Sequence, residues 1–292
     1  MTADDTAGGD HCLALVRQHD FDRYLSLLYA GEPARSALAA LYAFNMEIAR
    51  AREIVSDPMP GEIRFQWWRD ALDAPPGSDV DQHPVAGRIR AVIAAYALPL
   101  SAFHDLIDAR VFDLYDDPMP SVRDLEGYAG ETSSALIQLA AIILAGGKDP
   151  GTAEVAGHAG VAYAITGLLR ALPWHARRRQ LYLPADLLDA HGVDPEDMFA
   201  AKCTPELKEA VATLAGIARE HLARTRAGIG CVSREIVPAF LPVCLVEPLL
   251  ARIERPGFDP LSDRAELSAL RRNWMLWRAS RKAGRRVPPG AG

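Results

Sequence analysis

Residues 33–53 read PARSALAALYAFNMEIARARE. Pro33 suits the first turn of a helix, where its missing N–H costs nothing and its fixed φ is already helical. The residues after it are strong helix formers, chiefly Ala, Leu, Met, Arg and Glu. Leu38, Leu41, Tyr42, Asn45 and Ala49 recur at three- and four-residue spacing, so they share one stripe on the surface of a helix. The pattern predicts a helix over 34–53 with that stripe turned towards a core.

Outward from this segment the same signals repeat. Ala and Leu are abundant, alternating β-branched runs are scarce, and Pro and Gly gather between long periodic stretches. Helices are predicted over 63–72, 84–97, 101–115, 121–145, 151–172, 205–228, 236–253 and 261–280, with a Pro-, Asp- and Gly-rich loop over 73–84. Asp116-Asp117-Pro118, Gly146-Gly147 and Arg255-Pro256-Gly257 punctuate them as turns. No fixed-period repeat is visible, which argues against a solenoid. Residues 195–205 read as a linker inside the bundle, too short to separate a pair of domains. The expected organisation is a disordered acidic tail over 1–12, one all-α helical domain over 13–282 and a flexible basic tail over 283–292.

With 292 residues, 49% of them hydrophobic, the chain can close a substantial core. Residues 1–10 lack the basic and apolar regions of a secretory signal. The best apolar runs, 91–100 and 135–145, reach only about half the roughly 20 residues that span a bilayer. They are expected as buried helix segments. Cys12, Cys203, Cys231 and Cys244 form no CxxC pair and have no closely spaced His, so neither zinc nor thiol redox chemistry is indicated. Reduced thiols in a cytoplasmic protein fit best. The net charge of −6 is unevenly spread: all 38 acids but only 25 of the 32 basic residues precede Leu267, leaving that stretch at −13.

Two blocks carry a family resemblance. Asp22-Arg23-Tyr24-Leu25-Ser26-Leu27-Leu28-Tyr29 with Ala40-Leu41-Tyr42-Ala43-Phe44-Asn45 is one. Gly167-Leu168-Leu169-Arg170, Ala176-Arg177-Arg178 and Leu181-Tyr182-Leu183-Pro184 make the other. Together they resemble squalene and phytoene synthases, whose second region reads approximately NxLRDxxEDxRRGRxYLP. The resemblance implies a helical bundle of the class I isoprenoid synthase type and, in an active member, head-to-head coupling of prenyl diphosphates. Ionising a diphosphate needs Mg²⁺ on the leaving oxygens, and Mg²⁺ needs carboxylates. Two acids at i and i+4 on one helical face supply them.

Residue by residue, that equipment is missing. The acids of the family's first motif fall at Ala49 and Glu53, with Arg50 following the first. Those of the second fall at Ala171 and His175, with the internal Glu at Trp174. The family's Gln and Asn fall at Ala164 and Gly167, and its first-motif Arg at Met46. Only Arg170 is kept. Pro173 has no N–H to donate and its ring clashes with the carbonyl of Leu169, so a kink or stop is expected there.

The substitutions themselves have a pattern. Phe44-Asn45-Met46-Glu47-Ile48-Ala49, Ile63-Arg64-Phe65-Gln66-Trp67-Trp68 and Arg170-Ala171-Leu172-Pro173-Trp174-His175 resemble the divergent branch of this superfamily that contains the mitochondrial complex I assembly factor six. Its runs read close to FNxELA, RxQxW and RATPYH. That resemblance implies a non-catalytic role in assembling respiratory complex I in a bacterium, with a complex I subunit or assembly intermediate as partner. No catalytic residue, metal or cofactor is expected; Mg²⁺ enters only if the chain is instead a farnesyl or geranylgeranyl diphosphate transferase. An isoprenoid- or lipid-binding protein is the third reading.

Candidate ligand-binding residues are Tyr42, Arg170, Arg177, Arg178 and Tyr182. Of Trp67 and Trp68, adjacent on a helix, one is expected in the core and one at a partner surface. His175 is expected as a hydrogen-bonded structural histidine and Glu53 as a solvated or ion-paired carboxylate. The run Arg177-Arg178-Arg179 reads as a solvated patch, with charge-assisted binding of an anionic head group as its sharper alternative. Trp274, Trp277 and Arg278 lie among seven basic residues after Leu267. They suit contact with an anionic membrane surface on the inner face of the cytoplasmic membrane. A last amphipathic helix docking its tryptophans on the bundle accounts for them equally. No nucleic-acid reading motif accompanies the basic segment.

Overall fold

A computed structural model describes the backbone of residues 3–55 and 57–283 and the side chains from residue 11 to 282, apart from Ser56. Helices and turns make up the described residues, with no strand among them. In chain order the helices are α1 (Ala3–His19), α2 (Phe21–Leu27), α3 (Ala34–Ala49), α4 (Ala51–Ile54), α5 (Pro58–Asp73), α6 (Ala86–Ala95), α7 (Leu100–Val111) and α8 (Val122–Ala129). They continue with α9 (Ala135–Leu144), α10 (Ala153–Arg177), α11 (Ala185–His191), α12 (Pro195–Phe199), α13 (Pro205–Gly228), α14 (Val237–Phe240), α15 (Val246–Ile253) and α16 (Ala269–Ala283).

The core forms around α9, whose sequence ALIQLAAIIL is apolar on nearly every side and therefore belongs inside. It packs against α3, α10 and α14, so the two helices that carry the degenerate motif positions share it as a wall. Phe44 on α3 meets Trp68 and Phe103 edge-on, with ring centroids 5.3 and 5.4 Å apart. Each such fully buried side chain contributes about 1.5–3 kcal/mol through the hydrophobic effect. Trp68 is 1% exposed and Trp67 39%, so the pair divides between core and surface as expected.

Several boundaries depart from the sequence reading. The helix expected over 34–53 ends at Ala49, because Arg50 turns out of helical geometry (φ −95°, ψ 4°) and α4 restarts beyond it. The helix expected from 63 begins at Pro58, a residue well suited to an opening turn. The helix expected over 121–145 is interrupted by a π-turn at Gly130–Ser134. There Gly160 of α10 comes so close to Ser134 that a Cβ would overlap its backbone, and Ser134 Oγ donates to the carbonyl of Gly157 at 2.7 Å. Pro242 and Pro248 divide the helix expected over 236–253 into α14, a 3₁₀ turn at Leu241–Leu245, and α15.

Pro173 does not stop α10, which runs on to Arg177. One missing hydrogen bond near a helix end is a local loss that neighbouring packing can absorb, as Leu169, Leu172 and Ala176 are all buried. By length and composition α10 is apolar enough to cross a membrane, although its sequence holds no long uninterrupted apolar run; half of that stretch is buried inside the bundle. The linker expected over 195–205 contains α12, capped by Asp194, and α11 before it ends on left-handed Gly192 (φ 69°). The expected tail over 1–12 is also revised, because α1 starts at Ala3 and Cys12 is buried in the core. The tail expected over 283–292 falls, from 284 on, outside the described residues.

Candidate functional site

Two buried polar knots lie where α3 and α10 approach the shorter helices. In the first, Asp20 caps α2 by accepting from the N–H of Arg23, and it also pairs with the Arg23 guanidinium at 2.5 Å. That guanidinium lies over the Tyr42 ring of α3 at 5.6 Å and the Tyr163 ring of α10 at 5.0 Å. Arg23 therefore spans the gap between the two motif-bearing helices. Burial, partly offset by Arg23, pushes the Tyr42 hydroxyl up to about 12. Beside this knot Asp22 holds Arg272 of α16 at 3.1 Å and Arg170 of α10 at 3.8 Å. Burial raises the Asp22 carboxyl above its ordinary value against the pull of both cations.

The second knot centres on buried Asp113. It accepts from Tyr128 and Tyr182 at 2.8 Å each and from Arg110 at 2.9 Å. Arg110 also donates to the Tyr128 hydroxyl at 2.7 Å. The His175 ring leans on Tyr182 with centroids 4.5 Å apart. Burial holds His175 down at about 4, with Asp113 opposing the shift and Arg178 reinforcing it. Its Nδ1 is buried with no hydrogen-bond partner among the described residues, in contrast to the hydrogen-bonded histidine expected; the ring packs at a tilt of 43° against Tyr182.

The remaining expected site residues scatter. Glu53 pairs with Arg50 at 3.0 Å, the ion-paired state expected of it, while Arg50 also donates to His19 Nε2 at 2.9 Å. Trp174 is half exposed and lies under the Arg178 guanidinium at 4.3 Å. Arg179 takes a left-handed backbone (φ 56°) that ends α10 and swings its side chain to Glu196 and Phe199. The three consecutive arginines therefore diverge, with Arg177 exposed. Ala49 and Ala171 present methyl groups. No cluster of three or more His, Cys, Asp or Glu able to hold a metal ion occurs among the described residues. A diphosphate-bound Mg²⁺ pair of the synthase kind does not fit this residue set: its positions hold methyls, an indole and a desolvated imidazole, and the one carboxylate is tied to arginine.

Asp20, Asp22, Arg23, Asp113 and Tyr163 were not singled out from sequence as site residues. Acids and an arginine embedded in the apolar opening of α2 were the available signal for three of them, since buried charges are rare unless paired.

At the C-terminal end, α16 docks through Leu276, with Met275 and Ala279, on a small apolar cluster including Leu25, Val237 and Leu245. Trp274 and Trp277 do not dock; they are 53% and 50% exposed, each under an arginine four residues on, Arg278 and Arg281. Between α13, α14 and α16 a groove of about 590 Å³ opens, floored by Leu222, Val237, Phe240 and Leu241.

Comparison with known proteins gives a consistent result. Residues 16–271 match the squalene/phytoene synthase family. The chain is 36% identical over 250 residues to NADH dehydrogenase (ubiquinone) complex I, assembly factor 6 of Rattus norvegicus, covering 85% of this chain and 74% of that protein. It is 28% identical over 279 residues to the phytoene synthase of Thermus thermophilus, covering 95% and 93%. A crystal structure of a dehydrosqualene synthase in complex with ligand superimposes with a TM-score of 0.81 over 96% of this chain and 98% of that one; at 15% identity the likeness is one of fold.

Proposed function

We infer, from the premise that this chain belongs to the squalene/phytoene synthase family, that it has kept the prenyl-synthase bundle, given up the metal chemistry, and serves as an assembly factor for respiratory complex I. The observation that carries this reading is the replacement of paired carboxylates by Ala49, Ala171 and His175 on helices that still share α9 as their wall. A pyrophosphate group leaves slowly without divalent cations to take up its charge. Two nearby cations are engaged by carboxylates of the chain itself, Arg170 by Asp22 and Arg23 by Asp20. The 36% identity to complex I assembly factor 6 supports the same reading, in which the partner is a complex I subunit or assembly intermediate.

The proposed setting is the inner face of the cytoplasmic membrane of a bacterial cell. Exposed Trp274 and Trp277 beside Arg278 and Arg281 support it, because indoles and basic side chains favour the anionic interface.

Deleting the gene is expected to lower assembled NADH dehydrogenase on native gels and leave carotenoid, squalene and hopanoid levels intact. Unchanged complex I would remove the proposal. The rival transferase reading is tested by incubating the purified protein with farnesyl or geranylgeranyl diphosphate and Mg²⁺. Pyrophosphate release no faster than without protein is expected; brisk, Mg²⁺-dependent release would favour the rival.

A further inference from the structure

The groove between α13, α14 and α16 is a different place from the space between the degenerate motifs, since no residue of α3 or α10 lines it. Its volume, about 590 Å³, lies within the ordinary range for a small-molecule site, about 300–1,000 Å³. The floor is apolar, and burial pushes the Cys244 thiol there up to about 12, so no thiolate adds negative charge. The charged groups of the lining share one sign: Arg226 from α13, Arg278 and Lys282 from α16. No carboxylate lines the groove, and none of the three cations makes an ion pair among the described residues. Arg278 and Lys282 come from the basic stretch after Leu267 and Arg226 from the acidic remainder, so two helices bring charge of one sign to one apolar cleft.

We propose that this groove binds an anionic membrane phospholipid, its phosphate between Arg226, Arg278 and Lys282 and one acyl chain along Leu222, Phe240 and Leu241. Charge selects the occupant. A phosphate satisfies guanidinium and ammonium donors by charge-assisted hydrogen bonds, while a neutral chain end matches the floor. The chain's own segment after residue 283 carries Arg285 and Arg286 and has the wrong sign for this rim. The bilayer can reach the cleft because Trp274, which lines it, and Trp277, one turn on, project half exposed from the same helix, and Leu270 is 83% exposed. The lipid extends the membrane contact proposed above from a surface attraction to a specific site, and it does not depend on the complex I reading.

The test uses the full-length protein and dihexanoyl phosphatidylglycerol below its micelle concentration, followed by titration calorimetry and tryptophan fluorescence. Saturable binding is expected, with dihexanoyl phosphatidylcholine at least about tenfold weaker; Arg226→Glu and Lys282→Glu, both at exposed positions, each weaken the phosphatidylglycerol complex by about tenfold or more. Trp277→Ala leaves monomer binding unchanged and weakens attachment to vesicles of phosphatidylcholine and phosphatidylglycerol. Equal binding of the two monomers would mean the cleft takes an apolar partner and would overturn the proposal. So would the absence of saturable binding, or full affinity in both charge-reversed variants. Loss of vesicle binding in Trp277→Ala together with absent monomer binding would keep the surface contact and eliminate the site.

Discussion

Acidification provides a direct probe of the environment around His175. His175 is buried against Tyr182, and its imidazole is held down at about 4 instead of 6.5, chiefly because burial strips water from the cation. In the unfolded chain the ring takes its proton near pH 6.5; in the folded chain it resists until about pH 4. Because the folded value is the lower one, this contribution to stability is complete above pH 6.5 and is lost as the pH falls towards 4. At 1.36 kcal/mol per unit, the loss between neutrality and about pH 4.5 comes to about 2–3 kcal/mol. Urea unfolding at the two pH values measures it, and His175→Phe isolates it from other titrating groups. The phenyl ring keeps the packing against Tyr182 and has no buried nitrogen left without a partner, so the variant is expected to match the native chain near pH 7. At about pH 4.5 it should exceed it by about 2–3 kcal/mol. A native chain and variant that lose stability in parallel would refute the argument, because they would place a solvated or partnered imidazole at this position.

Three further outcomes follow from the buried knots and the helix contacts. Asp22→Asn leaves Arg170 and Arg272 facing each other without their anion, and breaking such a buried pair costs about 3–5 kcal/mol; limited proteolysis should cut first in the segment before α16, which Arg272 anchors through Asp22 and the Leu267 carbonyl. Tyr182→Phe removes one of the donors to buried Asp113 and should lower unfolding free energy by about 1–3 kcal/mol in urea, without a change in helix content by circular dichroism. Gly160→Ala drives a methyl into the backbone of Ser134 and should lower the thermal midpoint, with a loss of about 1–3 kcal/mol or more, whereas the same change at open Gly157 should be neutral or stabilising.

How far the sequence disclosed this molecule depended on whether the deciding interaction was local. The bounds of α13 were legible because Thr204 caps it, Pro205 opens it and the apolar spacing holds to Gly228. The end of α3 was not, because nothing in residues 34–53 announces that Arg50 will leave the helix; its partner His19 lies 31 residues earlier. The π-turn before α9 likewise answers to Gly160, beyond any local pattern. The family was legible from the two quoted blocks, both of which fall within the matched residues 16–271. The Asp113 knot was hidden, because Tyr182 joins it from 69 residues away and no spacing rule links the two. The tryptophans of α16 were undecided between docking and exposure; Leu276 took the docking face and left both indoles outside.

Losing metal ligands from a prenyl-synthase bundle leaves an electrostatic problem as well as a catalytic one. A buried or half-buried arginine without a counter-ion costs several kcal/mol. This chain supplies the counter-ions from within: Asp22 for Arg170 and Arg272, Asp20 for Arg23, Asp113 for Arg110. These contacts tie α2 to α10 and α16, and Arg23 bridges the tyrosines of α3 and α10. The bundle is thus tied together by its own charges where α2 meets α10 and α16. The cations that line the groove, Arg226, Arg278 and Lys282, take no part in these contacts, which leaves them for the phospholipid proposed to bind there.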